Sequence, residues 1–265
     1  MEKTIQFQGA DIHYKIKGKG NAVILLHGFG EDSTIWNSLE KYLEEKYLLI
    51  IPDIPGSGKS EIISRANVCM NDYADCIKSI IDAEQQTSVV MIGHSMGGYI
   101  TLAFAEKYPG YLKSIGLFHS SAYSDDKEKI ETRKKGIDFI RENGSFSFLK
   151  TSIPALFKEP EKNREYIEVL LKKGKGFSNE ALIQYYEAMI ARPDRSLIFT
   201  QLNLPYLFIM GEHDKAVPFK QSLKQSQLPE HSYVYILRNS AHMGMLEEMN
   251  KSNKIIADFL KDLYQ

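Results

Sequence analysis

Val89-Val-Met-Ile-Gly-His-Ser-Met-Gly-Gly-Tyr99 decides how this chain folds. Val89–Ile92 is a short unbroken apolar run, the signature of a strand buried on both faces of a parallel sheet. Gly97–Tyr108 reads as a helix stopped by Pro109-Gly110. Between them stands Gly93-His94-Ser95-Met96-Gly97, a full match to the G-x-S-x-G pattern. A strand turning abruptly into a helix crowds its backbone, so glycine is wanted on both sides of the strained middle residue. The turn holds a serine hydroxyl above the sheet edge and points the next amide, that of Met96, into the same space.

Outward from this turn, strands and helices alternate. Toward the N-terminus, Thr4–Phe7 and Ile12–Lys17 flank a Gly9 turn, and Ala22–Leu26 runs into the loop His27-Gly28-Phe29-Gly30. A helix is expected from about Ser33, a buried strand at Leu48–Ile51 and a helix at Asn71–Glu84. Cys76 falls on the apolar stripe of that last helix and reads as core packing. Beyond the turn, strands are expected at Ser114–Phe118, Tyr206–Met210 and Tyr233–Leu237, then a final helix. This alternation specifies a doubly wound, parallel sheet. From Tyr123 to Ser196 it lapses into helical stretches near Asp126–Glu142, Phe146–Phe157, Glu161–Lys173 and Asn179–Ala191. The expected organisation is therefore a core of residues 1–122 and 197–265 with a helical cap, 123–196, inserted into it.

Composition narrows the class. The chain has 265 residues, 43% hydrophobic and 25% charged, the balance of an ordinary globular domain. A net charge of −1 implies no general attraction to nucleic acid or to an anionic membrane. With no apolar leader at Met1–Phe7 and no 18-residue apolar run, the cytoplasm is the expected location. Cys69 and Cys76 are too few for a disulfide framework or a zinc site, and no metal or other cofactor is expected. Gly56-Ser57-Gly58-Lys59-Ser60 looks like the tail of a phosphate-binding loop, but that pattern needs glycine where Asp53 stands.

A serine hydroxyl attacks only when a base removes its proton, and the base needs an orienting carboxylate. Asp214 lies four residues past the strand Tyr206–Met210, with Glu212 in the same loop. His242 lies in the loop after Tyr233–Leu237. Both loops open at the sheet edge that carries Ser95, where open α/β sheets bind ligands. Asp53 is a further acid, placed before the serine in the chain. An oxyanion formed at the serine needs two amide donors; Met96 and Phe29 are the candidates, with Gly28 and Gly30 letting the loop turn inward.

His27-Gly28-Phe29-Gly30, Asp53-Ile54-Pro55-Gly56, the Ser95 turn, Gly211-x-x-Asp214 and Ala241-His242 together resemble the α/β-hydrolase superfamily along the whole chain. The resemblance implies a mostly parallel eight-stranded sheet flanked by helices, with Ser95 as nucleophile, Asp214 rather than Glu212 as acid and His242 as base. It implies a bracing role for His27 and makes a cap after the sixth strand usual. Serine rather than aspartate as nucleophile argues against dehalogenase or epoxide-hydrolase chemistry. The expected activity is hydrolysis of carboxylic esters with small to medium acyl chains, through an acyl-enzyme. Acyl transfer, perhydrolysis of the haloperoxidase kind, lactone or C–C bond hydrolysis, and a silent ligand receptor are the alternatives. The expected partner is a small-molecule ester, and the oligomeric state is open. Phe148, Phe157, Tyr185 and Met189 of the cap, with His119, are candidate pocket residues; His94 is read as structural. No cationic cluster marks the pocket in the sequence.

Overall fold

The computed structural model describes residues 1–264. Eight strands form one sheet: β1 (Glu2–Phe7), β2 (Ala10–Lys17), β3 (Ala22–Leu26), β4 (Leu48–Pro52), β5 (Val89–His94), β6 (Leu112–Phe118), β7 (Tyr206–Gly211) and β8 (Ser232–Leu237). Their order is β1-β2-β4-β3-β5-β6-β7-β8, with β2 antiparallel to both its neighbours and the rest parallel. Every residue of β3, β5 and β7 is buried, whereas β1 and β8, at the edges, alternate between half-buried and exposed positions. Continuous apolar runs thus lie mid-sheet and alternating ones outside, as two-face and one-face burial require.

Eleven helices accompany the sheet: α1 (Asn37–Leu43), α2 (Met70–Ala83), α3 (Met96–Lys107), α4 (Lys127–Asn143), α5 (Ser145–Ser152), α6 (Arg164–Gly174), α7 (Asn179–Ala191), α8 (Ile198–Gln201), α9 (Phe219–Gln225), α10 (Gly244–Glu247) and α11 (Met249–Tyr264). α3 is buried on nearly all sides, so its sequence is apolar all round. α11 carries one stripe, Ile255, Ile256, Phe259 and Leu260, against the core. Among the described residues no helix is long and apolar enough to cross a membrane.

The chain departs from its expected course at prolines and caps. The helix expected from Ser33 opens as a 3-10 turn, Ser33–Trp36, because the Asp32 carboxylate caps it by accepting from the Thr34 amide. The stretch Phe146–Phe157 breaks at Pro154 into α5 and a 3-10 turn, Pro154–Leu156. α6 begins only at Arg164, after a turn at Pro160–Asn163. The short helices α8, α9 and α10 lack enough apolar periodicity to be expected.

Two consequences position the site. Strand order reverses at β3, which lies between β4 and β5, so the loops leaving β3 and β5 open a crevice at their carboxyl ends. Between β6 and β7 the chain leaves the sheet for residues 119–205, and α4 to α8 fall in that excursion.

Candidate active site

Ser95 sits at φ +50° and ψ −114°, between the end of β5 and the first turn of α3. Its amide donates to the Phe118 carbonyl at 3.0 Å, and Ser120 Oγ donates to its carbonyl at 2.7 Å, so β6 holds the turn from both sides. Gly97 is required by close approach: a Cβ there would stand 2.5 Å from the Leu26 carbonyl oxygen and 2.7 Å from that of His27. Met96, the first helical residue, has no intrahelical acceptor for its amide. The loop after β3 abuts the turn, since a Cβ on Gly28 would lie 3.2 Å from Ser95 Cβ. Phe29 follows in that loop. His27 ties it down: Nε2 accepts from the Ile54 amide at 2.9 Å, and Nδ1 lies 2.9 Å from the Gly28 carbonyl.

His242 Nδ1 lies 2.8 Å from Asp214 Oδ2. Asp214 Oδ1 accepts from the amides of Ala216 and Val217 at 2.8 and 2.9 Å. Burial opposes ionisation of Asp214, yet His242, His119 and their hydrogen bonds hold its carboxyl well below the usual carboxylate range. Glu212 and His213, in the same loop, are exposed. Ser95 and His242 line one cavity of about 150 Å³. Among the described residues, no hydrogen bond joins Ser95 Oγ to His242. Such contacts are often long before substrate arrives.

His119, expected as a pocket residue, is instead packed behind the acid. Its backbone is left-handed (φ +49°), and its ring is buried with Nδ1 3.4 Å from Asp214 Oδ2. The Gly211 amide points at Nδ1 from 3.1 Å and the Gly244 amide at Nε2 from 3.2 Å. Burial pushes this imidazole down to about 4, and the neutral ring can accept at only one of the two nitrogens that these amides face. His119, Asp214 and His242 are the one group, among the described residues, whose ligand atoms lie close enough (4.8 Å) for a metal ion. The hydrogen bonds around Asp214 already account for that spacing.

Of the other expected pocket residues, Met189 lines the cavity. The remaining three do not. Tyr185 is fully buried, and its hydroxyl donates to the Pro55 carbonyl at 2.8 Å. Phe157 is buried in the core, and Phe148 packs edge-on against Phe29 and Tyr186. Tyr186, the neighbour of Tyr185, borders the cavity together with Phe29 and Tyr99, and it stacks on Phe29 at 4.5 Å.

Three charged lining groups went unforeseen. Glu31, one residue past the Gly30 loop, accepts from the Gly28 amide at 2.7 Å and faces His94 Nδ1 at 3.0 Å. Lys129 and Arg133, four apart on α4 and so on one helix face, both line the cavity. That spacing was the signal available in the sequence. Asp53 is a loop fastener, accepting from the amides of Ser33 and Lys59. Its carboxylate fills the space beside Gly58 that a phosphate would need.

Residues 21–133 match the family model described as alpha/beta hydrolase fold. An uncharacterized protein of Mycobacterium tuberculosis is 30% identical over 126 residues, 46% of this chain but only 37% of that protein's length. The 2-hydroxy-6-oxononadienedioate/2-hydroxy-6-oxononatrienedioate hydrolase of Escherichia coli K12 is 25% identical over 94% of this chain and 90% of its own. A thermophilic esterase from Thermogutta terrifontis superposes with a TM-score of 0.93 over 100% of both chains at 25% identity. With its eight-stranded, mostly parallel sheet and these likenesses, the chain has the α/β-hydrolase fold.

Proposed function

We infer that the protein is a serine hydrolase of carboxylic esters with short to medium acyl chains, acting through an acyl-enzyme. One observation carries the reading: Ser95, held at a strained turn, shares a cavity with His242, whose far nitrogen is hydrogen-bonded to buried, ionised Asp214. With its Nδ1 proton donated to Asp214, His242 keeps the Nε2 lone pair for the serine proton. Ser95 Oγ attacks the ester carbonyl carbon while that proton passes to Nε2. The amides of Met96 and Phe29 hold the resulting oxyanion. Collapse returns the proton to the departing alcohol and leaves the acyl group on Ser95. Water, deprotonated by the same nitrogen, then releases the acid and restores the serine.

The helical segment 123–196 acts as the cap, supplying Leu149, Leu156, Tyr186 and Met189 to the cavity wall. A cavity of about 150 Å³ is small, which favours short acyl chains. The full-length likeness to the E. coli hydrolase supports a second reading, cleavage of a carbon–carbon or lactone bond by the same serine.

The test is a fluorophosphonate probe together with nitrophenyl esters from acetyl to palmitoyl. The wild type is expected to be labelled at Ser95 and to prefer the short esters, and Ser95→Ala to do neither. A wild type that is neither labelled nor active on any ester overturns the reading. Labelling with turnover of the 2-hydroxy-6-oxo dienedioate but of no ester selects the second.

A further inference from the structure

Lys129 and Arg133 give the cavity a charge that ester hydrolysis does not call for. Lys129 Nζ donates to the backbone carbonyl of Ala216 and, among the described residues, has no carboxylate within salt-bridge distance. Arg133 gives Nε and Nη2 to Asp125 and keeps Nη1 without a protein partner. Asp125 is shared, because Arg192 Nη2 also donates to it at 2.9 Å. Two guanidiniums therefore share one carboxylate while Lys129 has none, and of these three cations Lys129 and Arg133 line the cavity.

The carboxylates that could cancel this charge are committed elsewhere. Asp126 and Glu128 border an open cleft on the other side of Lys129. Glu31 lines the cavity itself but is engaged by His94 and the Gly28 amide. Tyr99, also in the wall, registers the balance. Burial alone would raise its phenol, but Arg192, Lys129 and Arg133 together hold it below its ordinary value. Half-enclosed cations next to apolar walls attract an anion more strongly than they would in open water.

We propose that Lys129 and Arg133 form a carboxylate-binding subsite, so that the ester taken by Ser95 carries a second, free carboxylate on its acyl portion. The assignment of the acyl side rests on the ester-hydrolase reading above; the subsite itself does not. Methylene contacts with Leu149, Leu156 and Met189 hold the carbon spacer between the two ends, and they discriminate weakly. The charged end then decides which ester is accepted, and an arginine–lysine pair recognises it by geometry as well as by charge.

The experiment compares glutarate with pentanoate, which share the carboxylate facing the triad and differ at the far end. Binding to the wild type, Lys129→Met, Arg133→Lys and Arg133→Gln is followed by calorimetry. The nitrophenyl esters of the same two acyl groups are assayed alongside. Glutarate is expected to bind at least tenfold more tightly than pentanoate to the wild type, and Lys129→Met to shrink that ratio about tenfold. The kcat/KM ratio of the two esters should fall in parallel. Arg133→Lys keeps the charge if Arg133→Gln disturbs Asp125, and should retain part of the preference. Equal binding of the two acids, or a glutarate preference untouched by Lys129→Met, overturns the subsite whether or not esters are cleaved. A glutarate preference lost in Lys129→Met, with neither ester hydrolysed, upholds the subsite and removes the ester reading instead.

Discussion

Glu31 and His94 form a buried ion pair directly behind the candidate triad, Oε2 to Nδ1 at 3.0 Å. On its other side, His94 Nε2 lies 3.0 Å from the backbone carbonyl of His242. A carbonyl accepts only, and so does a carboxylate, so the ring satisfies both neighbours by carrying two protons. Burial pushes His94 down, but the Glu31 charge and hydrogen bond hold it above its ordinary value; Glu31 is correspondingly held below its own. The pair joins the Gly28 loop, the serine turn and the His242 backbone through one charge interaction.

Breaking that pair should be costly. Glu31→Gln leaves an imidazole that must either stay charged without a counterion or give up a hydrogen bond. Losing one partner of a buried pair typically costs about 3–5 kcal/mol. Urea unfolding of Glu31→Gln should show a loss of that order with an unchanged m-value. A loss under about 1 kcal/mol would mean the pair is weakly coupled to folding.

At the turn itself, Ser95→Gly and Ser95→Ala should both abolish turnover but differ in stability. A non-glycine residue in such a conformation carries about 1–3 kcal/mol of strain. Ser95→Gly releases it and should unfold at higher urea than Ser95→Ala by about 1 kcal/mol, after the entropy that glycine adds to the unfolded chain. Equal midpoints would show the turn to be relaxed.

In the acid loop, Asp214→Asn keeps the shape but favours the wrong imidazole tautomer, at an expected cost of about 10⁴ in kcat. Glu212 is exposed, so Glu212→Gln should stay within about twofold of wild type. Steady-state ester kinetics on both variants checks the order, and its reversal would transfer the acid role to Glu212.

His119 and His94 impose opposite pH dependences on stability. The folded pKa of His119, about 4, lies below the unfolded value of about 6.5, so the unfolded chain binds the extra proton between them. Stability from a neutral His119 is complete above pH 6.5 and declines toward pH 4, by about 1.4 kcal/mol per unit at most. His94 is raised, so its contribution is complete below about pH 6.5 and is lost as pH climbs through its folded value. The difference between wild type and His119→Asn isolates the first effect, and asparagine tolerates the left-handed backbone. Unfolding free energies at pH 4.5, 5.5, 6.5 and 7.5 should show wild type losing ground to the variant only on the acid side.

The strands, the serine turn and the two loops that bring Asp214 and His242 to one edge were legible because each is written locally. An apolar run, a glycine pair and an acid four residues past a strand need no knowledge of distant partners. The cavity wall was not written that way. Phe148, Phe157 and Tyr185 were the expected lining, whereas Leu149, Leu156 and Tyr186 supply it, in each case the adjacent residue. On α5 and α7, one position turns the side chain by about 100°, enough to move it onto or off the cavity wall. Aromatic size drew attention to the residue that packs rather than to the neighbour that faces the void. The charge of Lys129 and Arg133 was hidden for a related reason, since α4 reads as a solvated, lysine-rich helix until its azimuth is known.

The join between β6 and β7 is complete without anything the excursion contributes. Ile115 to Phe118 register with Tyr206 to Ile209 through backbone pairing, and the chain between them leaves at the carboxyl end of β6 and returns at the amino end of its parallel neighbour β7. Lengthening such a connection costs little, about 0.6 kcal/mol for each doubling of a flexible loop. A lineage carrying this sheet can therefore lengthen, shorten or exchange the helical segment 123–196 while the frame stays in register. New appetites for substrate can then arise by grafting, without rebuilding the chemistry beneath them.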